Sequence, residues 1–266
     1  MAGVQLISFA PKIYNGSFPK SGSHWLNLIT AHLAKPREGG YWLGSHGGNS
    51  WKDSPMPVDK VAAGLATIPR GSWMMGHLGY HERFAEAMQK NNVCMLFIYR
   101  DPRDVAVSQT YHIERDDGKS FHPGKEAFMQ LGSHEDRLLA VIEGMGDFPG
   151  VMERWEWYAP WLNVPWVHPV RYEALHADPK TVASGIVDYV LARDLRNEAD
   201  SSILMMFGAN YTDAIDKALE LAERTDLSPS FRQGRVGDWR KEFTPEIRQR
   251  FKETDKNGWV KRLGYH

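Results

Sequence analysis

A lysine, two serines and a histidine crowd a glycine turn in SFPKSGSHWL, Ser17–Leu26. Lys20 supplies a full charge, Ser21 and Ser23 supply hydroxyls, and Gly22 lets a ligand oxygen approach the backbone. Apolar residues follow at helical spacing, so the turn opens a helix whose first N–H groups and dipole favour an anion. The chemistry suits a phosphate or sulfate ester. The loop is not that of the ATPases and kinases, which sets one glycine directly before the lysine and another five residues earlier. Here Pro19 precedes Lys20, and Gly16 lies four residues back.

Two further stretches carry the same chemistry. YRDPRDVAVS, Tyr99–Ser108, puts Arg100 just after a buried-strand pattern and Ser108 on the helix that follows. FRQGRVGDWRKEFT, Phe231–Thr244, sets Arg232, Arg235 and Arg240 around Gly234 and Gly237. Arginine on a glycine loop suits multidentate capture of an oxyanion. Each stretch alone also reads as an ordinary feature: a helix-start ion-pair cluster, or a solvated basic face.

Positioning such groups takes a sheet and its helices. VCMLFIY, Val93–Tyr99, is a continuous apolar run of strand length, the mark of a strand buried on both faces of a parallel sheet. Ligands of such sheets bind at the carboxyl edge, where Arg100 falls. A second strand is expected at Trp166–Val170. Trp25, Leu26, Leu28, Ile29 and Leu33 predict a helix stopped by Pro36. VAVSQTYH, Pro179–Leu195 and Thr212–Arg224 read as helices. Phe243–Phe251 reads as another, with Thr244 as N-cap and Pro245 at the first helical position. Strands alternating with helices predict an α/β fold, a central parallel sheet flanked by helices, in a single domain over residues 1–266.

Composition narrows the function. Net charge is −1 and charged residues make up 24% of the chain, so no global field favours nucleic acid and an anion site must be built locally. No apolar run is long enough to span a bilayer, and the N-terminus has no basic leader; no membrane association is expected. Cys94 is the only cysteine, which excludes an intrachain disulfide and points to a reducing cytoplasm. No metal-ligand cluster is evident.

Four stretches in order resemble the cytosolic-type sulfotransferases, which use 3′-phosphoadenosine-5′-phosphosulfate (PAPS). PKSGSHW resembles their 5′-phosphosulfate loop and YRDPRDVAVS their 3′-phosphate segment. RYEALHADP, Arg171–Pro179, is similar to their RYEDxxxDP segment, and FRQGRVGDWRKEFT to their signature RKGxxGDWKxxFT. The resemblance runs from Phe18 almost to the C-terminus and implies a P-loop-like sulfotransferase fold.

It also implies roles. Lys20 contacts the phosphosulfate and the departing bridge oxygen, with Ser21, Gly22, Ser23 and His24 donating to the same group. Trp25 stacks on adenine and Tyr172 holds its edge; taken alone, both read as core aromatics. Arg100 and Ser108 bind the 3′-phosphate, and Arg232, Gln233 and Gly234 close over it. WMMGHLGYHERF, Trp73–Phe84, resembles the segment that carries the catalytic histidine, which makes His77 the base and His81 its near neighbour. The implied reaction is in-line transfer of a sulfuryl group to a hydroxyl or amine, with 3′,5′-phosphoadenosine (PAP) leaving and no metal required. A small hydroxylated or phenolic acceptor is favoured. The loop Gly39–Pro57, with Tyr41, Trp42 and Trp51, and the stretch His112–Phe128 are the acceptor-pocket candidates.

Several positions depart from the pattern. Met75 stands where a lysine often precedes the histidine, Gly79 replaces a proline, His24 a threonine and Gln233 a lysine. The dimer motif KxxxTVxxxE is matched only at Thr244, so it predicts no oligomeric state. A nucleotide kinase or NTPase, and a non-catalytic PAP-binding module of the same fold, remain as alternatives.

Overall fold

The computed structural model describes residues 10–31, 33–36, 57–115, 125–194, 216 and 234–266. Five strands form its main sheet: β1 (Lys12–Ser17), β2 (Lys35–Pro36), β3 (Ser72–Gly76), β4 (Val93–Tyr99) and, after the short hairpin β5 (Gly144–Met145) and β6 (Phe148–Pro149), β7 (His168–Arg171). Their order is β2-β3-β1-β4-β7, and every neighbouring pair is parallel. Every carboxyl end therefore lies on one edge. Gly16 pairs with Gly76, Ser17 with Ile98, and Tyr99 with Arg171.

Alternation along the strands explains the two-sided burial. In β4, Val93, Met95 and Phe97 join one apolar cluster, and Cys94, Leu96 and Ile98 join the other. Tyr14 and Met74 follow the first set, Ile13, Trp73 and Met75 the second. The second cluster is roofed by α1 (Ser23–Thr30) and α9 (Pro179–Asp194). The first is covered by α2 (Val58–Ala66), α3 (Glu82–Lys90), α4 (Pro102–Glu114), α6 (His134–Glu143) and α7 (Val151–Tyr158), with the short α5 (Lys125–Met129) alongside. The short α8 (Tyr172–Ala177) follows β7 directly.

The expected α/β fold is present, with differences at boundaries. The first helix ends at Thr30, before Leu33, and Pro36 lies in β2 instead of terminating the helix. The strand expected at Trp166–Val170 runs His168–Arg171; it flanks only β4, an edge position where Pro169 lacks no needed donor. α4 starts earlier than VAVSQTYH because the Asp101 side chain caps it, accepting from the Arg103 N–H, with Pro102 in the first turn. Helix Pro245–Thr254 begins as expected, with the Thr244 hydroxyl accepting from the Ile247 N–H. The expected helix Thr212–Arg224 lies outside the described residues, Asp216 apart. So does the loop Gly39–Pro57 except Pro57, and residues 116–124 of the stretch His112–Phe128.

Candidate active site

Four strand ends deliver the candidate groups. β1 runs into Phe18–Gly22, β3 into His77, β4 into Arg100 and β7 into Tyr172. This is the carboxyl edge, where open parallel sheets bind ligands.

The turn after β1 is tight. The Ser21 N–H donates to the Phe18 carbonyl, Lys20 takes a left-handed conformation at φ 66°, and Gly22 caps α1 at φ 96°. A β-carbon at Gly22 would stand 2.6 Å from the Tyr172 ring, so glycine is required both by φ and by that close approach. Trp25 and Leu26 are the first α1 residues whose N–H groups bond back, both to the Gly22 carbonyl. The N–H groups of Ser23 and His24 therefore face outward from the helix start. The buried Ser21 hydroxyl has no partner among the described residues.

The turn is electropositive. Burial, then the charges of Arg115 and Arg100, lowers the Lys20 pKa to about 8. The pKa of His24, an exposed residue, is lowered by the desolvation that its packed neighbours impose and then by Lys20. Nothing acidic contributes to either shift.

His77 closes the other side. Its Nδ1 lies 3.1 Å from the Ser17 carbonyl and 2.8 Å from the Ser17 hydroxyl. A carbonyl only accepts, so the hydrogen resides on Nδ1 and the lone pair on Nε2. Burial lowers the His77 pKa to about 4; the Ser17 backbone bond opposes this, while Lys20, His24 and Arg154 add to it. The ring is neutral at pH 7. The segment is held from behind, because Tyr158 donates to the His77 carbonyl at 3.3 Å and Trp161 to that of Leu78 at 2.8 Å. His81 is not part of this site: it caps α3, its side chain accepting from the Arg83 N–H.

Arg100, Tyr172 and the C-terminal glycine loop form one unit. The Arg100 guanidinium sits 4.5 Å over the Tyr172 ring, 3.7 Å from Asp104, and donates to the Arg235 carbonyl. Tyr172 donates to the Gly234 carbonyl at 2.8 Å. Asp104 accepts from the Gly237 and Trp239 N–H groups, which clamps the loop over Arg100; burial raises its pKa, against those bonds and Arg100. Arg100 Nε remains without a partner among the described residues. Ser108, half-buried, lies one helical turn beyond Asp104 on the same face of α4, with Arg115 two turns further. Trp25 packs edge-on against Tyr172 at 6.1 Å, its buried Nε1 also unpartnered among the described residues.

Lys20, Ser21, Gly22, Ser23, His24, Trp25, His77, Arg100 and Tyr172 follow the strand ends of this edge, and Gly234 is bonded to Tyr172 there; Ser108 lies further along α4, and Arg232 and Gln233 lie outside the described residues. The set of orphan donors (Ser21 Oγ, Arg100 Nε, Trp25 Nε1 and the helix-start N–H groups), with the charge of Lys20 among them, fits an anionic ligand. Ser17, Asp104 and Arg115 were not singled out from the sequence. Ser17 is found only through the β1–β3 register, and Asp104 only through bonds to residues far along the chain.

Comparison with known proteins agrees. The sulfotransferase domain family matches residues 13–262. Sulfotransferase 2B1 of Mus musculus is 25% identical over 242 residues, covering 87% of this chain but only 66% of its own length, just under two thirds. Cytosolic sulfotransferase 17 of Arabidopsis thaliana is 25% identical over 253 residues, covering 87% of this chain and 69% of its own. Two solved structures share the fold: mouse sulfotransferase SULT7A1 complexed with PAP, and retinol dehydratase in complex with androsterone and inactive cofactor PAP. The first has a TM-score of 0.57 at 20% identity, over 92% of this chain and 82% of its own. The second has 0.58 at 16%, over 92% and 80%.

Proposed function

Because the chain belongs to the sulfotransferase domain family, we propose that it moves a sulfuryl group from PAPS to a hydroxyl or amine of a small acceptor, with PAP as product. The convergence of Lys20, His77 and Arg100, from three strands, on one anion-binding turn supports this reading most directly.

His77 Nε2 takes the acceptor proton as the nucleophile approaches sulfur; Nδ1, held by Ser17, fixes the ring for that task. Lys20 and the N–H groups opening α1 stabilise charge growing on the departing phosphate oxygen. Arg100, Ser108 and the loop carrying Arg232, Gln233 and Gly234 hold the 3′-phosphate, and Trp25 and Tyr172 hold the base. Positioning and electrostatics carry the rate, as in phosphoryl transfer. Relatives named as cytosolic support a cytoplasmic location, and no helix among the described residues is long and apolar enough to cross a membrane.

Thermal unfolding with PAP, with ATP and with neither tests the reading. PAP at about a hundred times its dissociation constant stabilises by about 2.7 kcal/mol. No response to PAP refutes the proposal, and a response to ATP alone moves the protein to the kinases. Stabilisation by PAP without transfer to any acceptor in a phenol, alcohol and amine panel identifies a nucleotide-binding module.

A further inference from the structure

The reaction above leaves one buried charge unused. Arg154, on α7, is only 4% exposed. Its Nη1 reaches the Gln109 side-chain oxygen at 3.4 Å. Nε and Nη2, both shut from solvent, meet no acceptor among the described residues. Burial lowers its pKa only to about 10, so it is charged at neutral pH. Glu153, its neighbour on α7, acts on it electrostatically without forming an ion pair among the described residues, and a buried charge with no hydrogen-bonded counter-ion is strongly destabilising, so its persistence calls for a partner.

The two unpartnered nitrogens form one side of the guanidinium fork. The same chain shows what that side grips: Arg103 holds the Asp101 carboxylate with its own Nε and Nη2, at 2.9 and 2.7 Å.

Arg154 is close to the reacting centre. Its Cζ lies 5.9 Å from the ring of Phe18, two residues before Lys20. Tyr158, one turn along α7, packs edge-on against Phe18 at 5.2 Å and donates to the His77 carbonyl. The Arg154 charge is felt at His77 itself. Phe18 and Phe148, the latter 4.7 Å away, give the guanidinium aromatic walls.

We propose that Arg154 recognises the acceptor, which is an aromatic molecule carrying a carboxylate as well as the hydroxyl presented to His77. The assignment rests on the sulfotransferase reading. The planar fork takes the carboxylate bidentately, the apolar walls take the ring, and the hydroxyl faces His77.

The test uses the full chain with PAPS and two probes, 3-(4-hydroxyphenyl)propionate and its primary amide. PAP release gives kcat/KM for each. The wild type is expected to prefer the acid at least about tenfold, since one charge-assisted contact is worth that much. In Arg154→Met the acid-to-amide ratio is expected to fall to within about twofold of unity. Equal use of both probes by the wild type overturns the assignment, as does a ratio that survives the substitution. Should Arg154→Met fail to fold, equilibrium binding of acid and amide to the PAP-loaded wild type decides by the same ratio. Neither binding nor turnover of the acid by a protein that PAP stabilises also overturns it, while the sulfotransferase reading stands. Absence of PAP stabilisation refutes that reading instead.

Discussion

Ser17 and His77 meet across two adjacent parallel strands. Gly16 and Gly76 are register partners, so the next residue of each chain segment lies side by side, and Nδ1 of His77 faces both the hydroxyl and the carbonyl of Ser17. The contact fixes the tautomer and leaves Nε2 as the basic nitrogen. His77→Ala is expected to lower turnover by about two to four orders of magnitude, with PAP-induced stabilisation intact. Ser17→Ala keeps the carbonyl and loses one hydrogen bond of about 1 kcal/mol, so about a fivefold fall in kcat with little change in KM is expected. Steady-state kinetics on both variants check this.

Two pKa shifts define the pH profile. His77, lowered to about 4, is deprotonated throughout the neutral range and loses basic function only as pH falls towards 4. Lys20, lowered to about 8, loses its charge as pH rises through that value. The kcat/KM profile for PAPS therefore has an acid limb near 4 and an alkaline limb near 8. Bound anion favours charged Lys20, so the alkaline limb of kcat lies higher. An alkaline limb unmoved between kcat/KM and kcat refutes the assignment to Lys20. For stability, the unfolded chain takes the His77 proton first, so His77 removes stability as pH falls from about 6.5 to about 4 and none above. Denaturant midpoints over that window measure it.

Arg100 is pinned by Asp104, by the Arg235 carbonyl and by the Tyr172 ring, and its Nε has no partner among the described residues. Arg100→Ala is expected to weaken PAP by about tenfold to a hundredfold, the value of a charge-assisted contact of about 1.5–3 kcal/mol. Calorimetric titration with PAP reads the loss directly; unchanged affinity would remove Arg100 from the 3′-phosphate site.

Gly22 meets two demands at once, a φ of 96° and a neighbouring tyrosine ring. Gly22→Ala is expected to cost about 1–3 kcal/mol of stability through backbone strain. It also displaces Tyr172, so PAP affinity falls as well. A substitution that lowers the melting temperature but spares PAP binding would separate Tyr172 from the nucleotide site.

Met75 stands at the position where the resembling family often carries lysine. Its side chain is buried on the α1 side of the sheet, its sulfur against the Asn27 amide. Met75→Lys would bury a charge among Ile13, Leu26 and Ile29 without a described partner. A lower melting temperature with no gain in turnover is the expected result. Higher activity would show instead that a lysine there reaches the reacting centre.

The family and the elements that carry the candidate groups were legible in the chain itself. Lys20 on a glycine turn, Arg100 after a wholly apolar strand and Gly234 in a basic loop are local signals, because hydrogen-bond donors, φ > 0 positions and strand burial are written in short stretches. The Thr244 cap and the parallel sheet were legible for the same reason. What the fold alone decided depends on contacts distant in sequence. Strand register placed Ser17 beside His77. Asp104 became the clamp on the C-terminal loop through bonds to Gly237 and Trp239, far along the chain. Nothing in the residues next to Arg154 sets it apart from the other arginines of the chain. Only packing against Phe18, Phe148 and Gln109 makes it a buried cation in need of a partner, because burial and desolvation belong to the packed molecule and not to any short stretch of it.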